Sequence, residues 1–489
     1  MDLASPSRLS CLQLPTASGP IKMGFVLSIL YLVTYYLTTP VLFGPLAASR
    51  VELILAILIF FVSLPKLTGS IILKTPQSVA LVGLAVALML SVIVGLSWFG
   101  GALQAFLGFI PNAFAYLIVC LHCNSVKRLR IVVVMLFSVC LFVIANGCLA
   151  FLHGVPGTSS PNMHSLEVAP IPQEAETIPY LFAMRSDTGE LFYRLRGLGL
   201  INDPNDFGQF LVCVIPLGFV FWRSKKTLSN FVCVVLPVCL LLYGLYLTHS
   251  RGTLLALIAI AVVAARRRIG TLPALVLATG VFVATMALHF TGGRDISANA
   301  GADRTELWSD GLQLLKSHPL FGVGPGRMPE LVDSHKTAHN SLVVCAAELG
   351  LFGLYFWSMF LFPTLRDALA LTSPENVSES VASEPEATPF PQAARGGVAL
   401  DKAEVNRLGR LLVLSLTGFL VSGWFLSRAL VLTLFLLGGV VEVVYQMALE
   451  RGMIAPRLRL TRVLLYSGGL AAALVLFMYL TLRILNLMR

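Results

Sequence analysis

Thirteen apolar runs, each close to the length needed to cross a lipid bilayer, dominate this chain. They fall at roughly 22–41, 50–65, 76–97, 101–122, 129–151, 206–222, 229–248, 252–265, 271–290, 340–364, 409–426, 429–449 and 462–484. A spanning helix needs about 20 mainly apolar residues. In lipid, every backbone N–H and C=O must be satisfied within the segment, which favours helices over open sheet. The sequence therefore predicts an all-α polytopic membrane protein with about 12–13 transmembrane helices and two long outer loops carrying short helices. The lower number applies if the short run at 252–265, or one of the pair split by Ser427-Arg428, is re-entrant. It also applies if the last segment lies in the interface. Residues are 56% hydrophobic and only 12% charged, with mean hydropathy +0.82, against about 25% charge in a soluble domain.

The net charge of +10 reads as orientation. Lys and Arg collect on cytoplasmic loops, and placing the N-terminus in the cytoplasm puts most of them there, including Arg266–Arg268 and Arg223, Lys225 and Lys226. They form no continuous basic face, which argues against nucleic-acid binding. Most of the nine cysteines lie inside apolar runs, where a thiol is a small hydrophobe. Cys120-x-x-Cys123 has no second such pair and reads as structural. Residues 1–20 lack a cleavage-site pattern, so no cleaved signal peptide is expected.

The chain divides into N-terminal helices (1–151), an outer loop ending in arginines (152–205), a core (206–365) that includes a second outer loop (291–339), a cytoplasmic loop of disordered composition (366–408), and C-terminal helices (409–489). In the second outer loop, Leu307, Trp308, Gly311, Leu312 and Leu315 share one face of an amphipathic helix over Arg304–Ser317, suited to lie along the membrane surface. Asp303 and Glu306 resemble its N-cap and box partner. The GVGPG run at 322–326 reads as a tight turn, because no strand precedes it.

This topology sets Arg194, Arg196, Arg251, Arg304 and His339 on one outer face. Charge on the less basic side needs a reason. Arg50 and Arg428 read as snorkelling side chains. Arg251 differs, because Ser250, Gly252 and Thr253 surround it with donors and room for close backbone approach. A guanidinium presents a planar fork of donors to phosphate. Asp203-Pro204-Asn205-Asp206 reads as a helix start. His339 stands before the run at 341–362, where an imidazole can take a proton near neutral pH. Asn340 caps that helix, and Glu348 reads as a buried structural partner. Several arginines and a histidine beside lipid suit a lipid-linked diphosphate. No Asp-x-Asp appears, so a metal site is not expected.

These segments resemble the bacterial O-antigen ligases and the related O-antigen and exopolysaccharide polymerases. Three patterns carry the resemblance: Arg194-Leu-Arg196-Gly197 … Asn202-Asp203-Pro204-Asn205, Thr248-His249-Ser250-Arg251-Gly252, and His318-Pro319 … Gly322 … Gly324 … His339-Asn340 … Leu342 … Glu348 … Gly350 … Gly353. It covers about 190–365. It implies a C-type membrane glycosyltransferase of the bacterial inner membrane, with its site facing the periplasm, acting without cofactor or metal and inverting the transferred sugar. The donor would be undecaprenyl-diphosphate-linked glycan, and the acceptor lipid A–core or another glycan. His339 would be the base, with Arg251 and either Arg194 or Arg196 on the diphosphate. A transporter or flippase for lipid-linked sugars is the rival from another class. It would call for charged residues along an inner path and inverted repeats.

Overall fold

The computed structural model describes residues 22–38, 50–67, 71–153, 178–185, 191–287, 298–373 and 401–487. The first part of the outer loop at 152–205 and most of the loop at 366–408 lie outside them. Among the described residues there are fifteen helices and one two-stranded hairpin. The first five helices are α1 (Met23–Leu37), α2 (Val51–Leu67), α3 (Pro76–Gly95), α4 (Phe99–His122) and α5 (Val126–Leu152). The strands β1 (Leu181–Arg185) and β2 (Leu191–Leu195) pair antiparallel. Then come α6 (Pro204–Phe221), α7 (Thr227–Leu247), α8 (Arg251–Ile269), α9 (Thr271–Ala287), α10 (Ala298–Ser317) and the single turn α11 (Met328–Leu331). The last four are α12 (Ser341–Ala370), α13 (Lys402–Gly423), α14 (Leu432–Leu449) and α15 (Leu460–Leu487).

All thirteen apolar runs are helical. Nine helices among the described residues are long and apolar enough to cross a membrane. α1 and α9 are shorter, α2 carries Glu52 and Lys66 at its ends, and α8 closes on Arg266–Arg268. Local chemistry sets several starts. The Thr75 hydroxyl accepts from Ser78 N with Pro76 at the first helical position, and Ser125 accepts from Arg128 N. Asp203 accepts from Asn205 N ahead of Pro204, and Asp401 accepts from Glu404 N. These are N-caps, which satisfy donors that a helix leaves open. The hairpin is a departure from the all-helical expectation. Its strands alternate Leu181, Ala183, Tyr193 and Leu195 inward, and it sits where the first outer loop returns to α6. A second departure is α10. It begins at Ala298, so its start is not at Asp303.

These thirteen helices alternate in direction. At one end Lys66 Nζ donates to Leu121 O (3.0 Å), Arg407 donates to Trp222 O (2.8 Å) and Arg267 donates to Thr372 Oγ1 (3.4 Å). At the other, Tyr36 meets Thr433 (3.2 Å) and Gln209 donates to Ser422 Oγ (3.1 Å). The second end carries His339. α15 runs from Leu464, which accepts from Tyr355 Oη (3.3 Å), up to Phe477 beside Trp424. Its last turns therefore lie at the His339 end. α14 forms the centre of the bundle, whereas α7 and α15 lie at the periphery.

α12 is broken. Gly350 is left-handed (φ 66°, ψ −170°) and divides it. The segment 318–324 fills the gap. Val323 N donates to Ala347 O and Gly324 N to Glu348 O (both 3.1 Å). Leu351 N donates to Pro319 O (2.8 Å) and Phe352 N to Leu320 O (3.1 Å). The Ser91 hydroxyl also donates to Glu348 O. The glycines of the motif follow from this docking. A Cβ on Gly322 would lie 2.3 Å from the Glu348 carbonyl, and one on Gly350 2.4 Å from the Leu320 carbonyl. The Glu348 carboxylate accepts from the N–H groups of Gly326 and Met328, so it holds the far side of the same loop.

At the end opposite His339, Arg457 Nε donates to Asp367 (2.9 Å) and Arg457 Nη1 to Glu442 (3.0 Å). Both carboxylates are fully buried, and Gln77 donates to Asp367 (3.3 Å). This network ties α3, α12, α14 and the approach to α15. Arg457→Met would strand two buried carboxylates at a cost of roughly 3–5 kcal/mol. The expected outcome is a clearly lower melting temperature of the purified protein in detergent. Gly350→Ala should lose folded, monodisperse protein in size-exclusion chromatography. Gly326→Ala is the milder change. It too has a left-handed backbone (φ 76°), but nothing lies within 4 Å of the added Cβ, so its cost should be about 1–2 kcal/mol.

Candidate active site

Four stretches meet at the His339 end: the return from β2 into α6, the turn between α7 and α8, the loop 318–340, and the connection between α13 and α14. Arg194, near the end of β2, is 3% exposed. Its Nε donates to Thr248 O (2.8 Å) and its Nη2 to Asn205 Oδ1 (2.9 Å). One guanidinium thus pins the hairpin to the end of α7 and the start of α6. Arg196, two residues on, is half-buried and lies 5.8 Å from the centre of the Phe182 ring. Partial burial lowers its pKa, and the Asp203 carboxylate opposes that.

The α7–α8 turn is tight. His249 adopts a left-handed backbone (φ 47°), and α8 starts at Arg251 with Ser250 as its N-cap. Ser250 Oγ is buried and, among the described residues, has no hydrogen-bond partner. Gly252 lies under Phe425, and a Cβ there would come 2.7 Å from that side chain. Arg304 of α10 lies 5.7 Å from the same ring. Its pKa is lowered by burial and then by the charge of Arg251. Phe425 thus packs against Gly252 of α8 with Arg304 of α10 over its ring.

His339 is exposed between two buried residues. Ala338 O accepts from Trp308 Nε1 of α10 (2.9 Å). Asn340 Oδ1 accepts from Leu342 N (3.0 Å) and Val343 N (3.2 Å) and caps α12. His339 itself is left-handed (φ 46°), a costly backbone for a non-glycine residue. The surrounding protein and then Arg304 push its pKa below the ordinary value, Asp203 opposes them, and Lys336 adds to the lowering. The neutral imidazole is favoured, which is the state a proton acceptor needs.

Asp203 acts on both Arg196 and His339, while Arg304 acts on His339 and is itself acted on by Arg251, so these charges share the His339 end of the bundle. Arg194 and Asn205 sit beneath them as scaffold. Asn340 is a cap. Glu348 stands apart, two turns into α12, and serves the loop. Arg428 does not simply snorkel. It pairs with Asp206 at the start of α6, and its backbone N–H donates to Ser341 Oγ (3.0 Å). Ser341 Oγ in turn donates to Leu426 O (2.7 Å). Three participants had escaped the sequence reading: Asp203 as a charge facing the histidine, Phe425, and Trp308 as the prop for residue 338. Asp203 was hidden by its cap role. Phe425 sits in an apolar run with no distinguishing neighbour.

No curated protein matches this chain. Residues 236–358 match the family model described as O-antigen ligase. That stretch runs from α7 through the Gly350 break and takes in Arg251, Arg304, His339 and Glu348, while Arg194, Arg196 and Asn205 precede it. Over that segment the chain is similar to the O-antigen ligase family, and its long apolar helices mark it as a multi-helix membrane protein.

Proposed function

We propose that the chain transfers glycan from undecaprenyl diphosphate to a sugar hydroxyl, in the manner of an O-antigen ligase. The observation that carries this reading is a histidine biased toward its neutral form by Arg304, which in turn lies within the field of Arg251. The donor diphosphate lies on Arg251 and Arg196, with Arg304 alongside. The buried Arg194 holds these segments in register, which favours Arg196 over Arg194 as the phosphate contact. The acceptor oxygen attacks the anomeric carbon from the face opposite the phosphate, inverting it. His339 takes the hydroxyl proton. The bond from that carbon to the phosphate oxygen breaks, its electron pair leaves with undecaprenyl diphosphate, and the arginines stabilise the charge that develops there. Ser250 and Asn340 support the segments on either side. The residues assigned these roles need no metal or cofactor for the transfer.

The charge distribution supports a periplasmic site in a bacterial inner membrane. Arg223, Arg266–Arg268, Lys402 and Arg407 fall at the end away from His339, as the positive-inside rule requires of the cytoplasmic side. The core at 206–365 would carry the chemistry, with the helices before and after it as its walls. Lipid A–core as acceptor makes the protein a ligase of lipopolysaccharide assembly. Another lipid-linked glycan as acceptor makes it a polymerase with identical chemistry. Against the transporter reading, the charged networks described here gather at the two ends of the bundle.

His339→Ala should lower transfer in a detergent assay with lipid-linked donor and acceptor by about 10²–10⁴-fold while leaving expression intact; transfer at the native rate would sink the mechanism. The depressed pKa sets the acid limb of kcat/KM below the ordinary imidazole range, and Arg304→Gln should move that limb to higher pH. Arg251→Lys replaces a fork by a point charge. It should remove roughly 1.5–3 kcal/mol of stabilisation, about ten- to a hundredfold in rate.

A further inference from the structure

A groove of about 1040 Å³ runs between α10, Pro319 of the segment at the helix break, and α15. Its walls include Leu312, Leu351 and Leu476, and its polar rim includes Lys316, Tyr479 and Arg483. No carboxylate lines it. Lys316 and Arg483 form no ion pair among the described residues, and both are exposed. Arg483 Nη1 only approaches Tyr479 Oη of its own helix (3.4 Å). α15 is mostly unburied along its length, so in a bilayer this groove opens to lipid at the His339 end.

Two cations above an apolar cleft, with no acid to balance them, complement an amphiphile with a negative headgroup. The donor diphosphate is a poor candidate. Lys316 lies twelve residues beyond Arg304 on α10, about 18 Å along a helix, too far for one diphosphate to serve both places. Lys316 also lies off the buried face formed by Leu307, Trp308 and Leu315. We propose that this groove binds one anionic glycerophospholipid from the adjoining leaflet, its phosphate between Lys316 and Arg483 and its acyl chains along Leu312, Leu351 and Leu476. The lipid wedges α10 against α15. It thereby fixes the helix whose other half carries Arg304 and props Ala338 through Trp308.

The test is native mass spectrometry of the purified full-length protein released from mixed micelles of phosphatidylglycerol and phosphatidylcholine. It reads binding rather than glycan transfer, so it stands whether or not the proposed transferase activity does. The wild type should retain phosphatidylglycerol over phosphatidylcholine by on the order of tenfold, given two basic side chains at the headgroup. Lys316→Gln with Arg483→Gln should erase that preference. The charge-conserving pair Lys316→Arg and Arg483→Lys should keep it, which separates lost charge from lost fold. Leu476→Trp, which fills the cleft, should lower retention of both lipids. Equal retention of the two lipids by the wild type would overturn the proposal. So would an undiminished preference in the double glutamine variant, or displacement of the bound lipid by added undecaprenyl diphosphate.

Discussion

Everything at the His339 end depends on the interruption of α12 at Gly350. A broken helix at membrane depth strands carbonyls before the break and N–H groups after it, and lipid can satisfy neither. Here two carbonyls and two N–H groups are met by the backbone of 319–324. The loop is bound as a backbone plug, which is why it needs glycine at 322 and 350 and tolerates little side-chain bulk there. Glu348 then secures the loop's outer part through Gly326 and Met328. The upper half of α12 becomes a short pedestal, capped by Asn340, and His339 stands at its rim.

The pedestal is crowded with positive charge. Arg251 and Arg304 come from segments far apart in sequence, yet Arg304 feels the charge of Arg251 and His339 feels that of Arg304. Only Asp203 leans the other way on the histidine. The same repulsion that lowers the histidine's affinity for a proton would fade as a bound diphosphate neutralises the arginines. On the proposed reading, His339 would then be a stronger base with the donor bound.

The sequence made the spanning helices legible, because twenty apolar residues have few other uses. It also singled out Arg251, Arg304 and His339, because charge at a turn between apolar helices is expensive and stands out. It could not separate Arg194 from Arg196. Two residues apart on a strand, they differ only in what the fold puts beside them: Thr248 and Asn205 for one, a phenyl face and a carboxylate for the other. Nor could it reveal that GVGPG is a plug. A tight turn and a docked strand of backbone look alike until the partner helix is seen to break. The pairing of Arg428 with Asp206 escaped for a similar reason, since 222 residues separate the two.

The hydroxyl of Ser341 binds Leu426 and Arg428, 85 and 87 residues further along the chain, and Arg194 is fixed by a carbonyl 54 residues away. Local helices can form as they leave the ribosome, but contacts this distant wait for chain that has not yet been made. The rim on which His339 stands is completed only after α13 has crossed and the connection to α14 has been placed. Until then His339 has no fixed seat. The seat of the histidine is thus among the last parts of the structure to be fixed, set by contacts that close only once the later helices are in place.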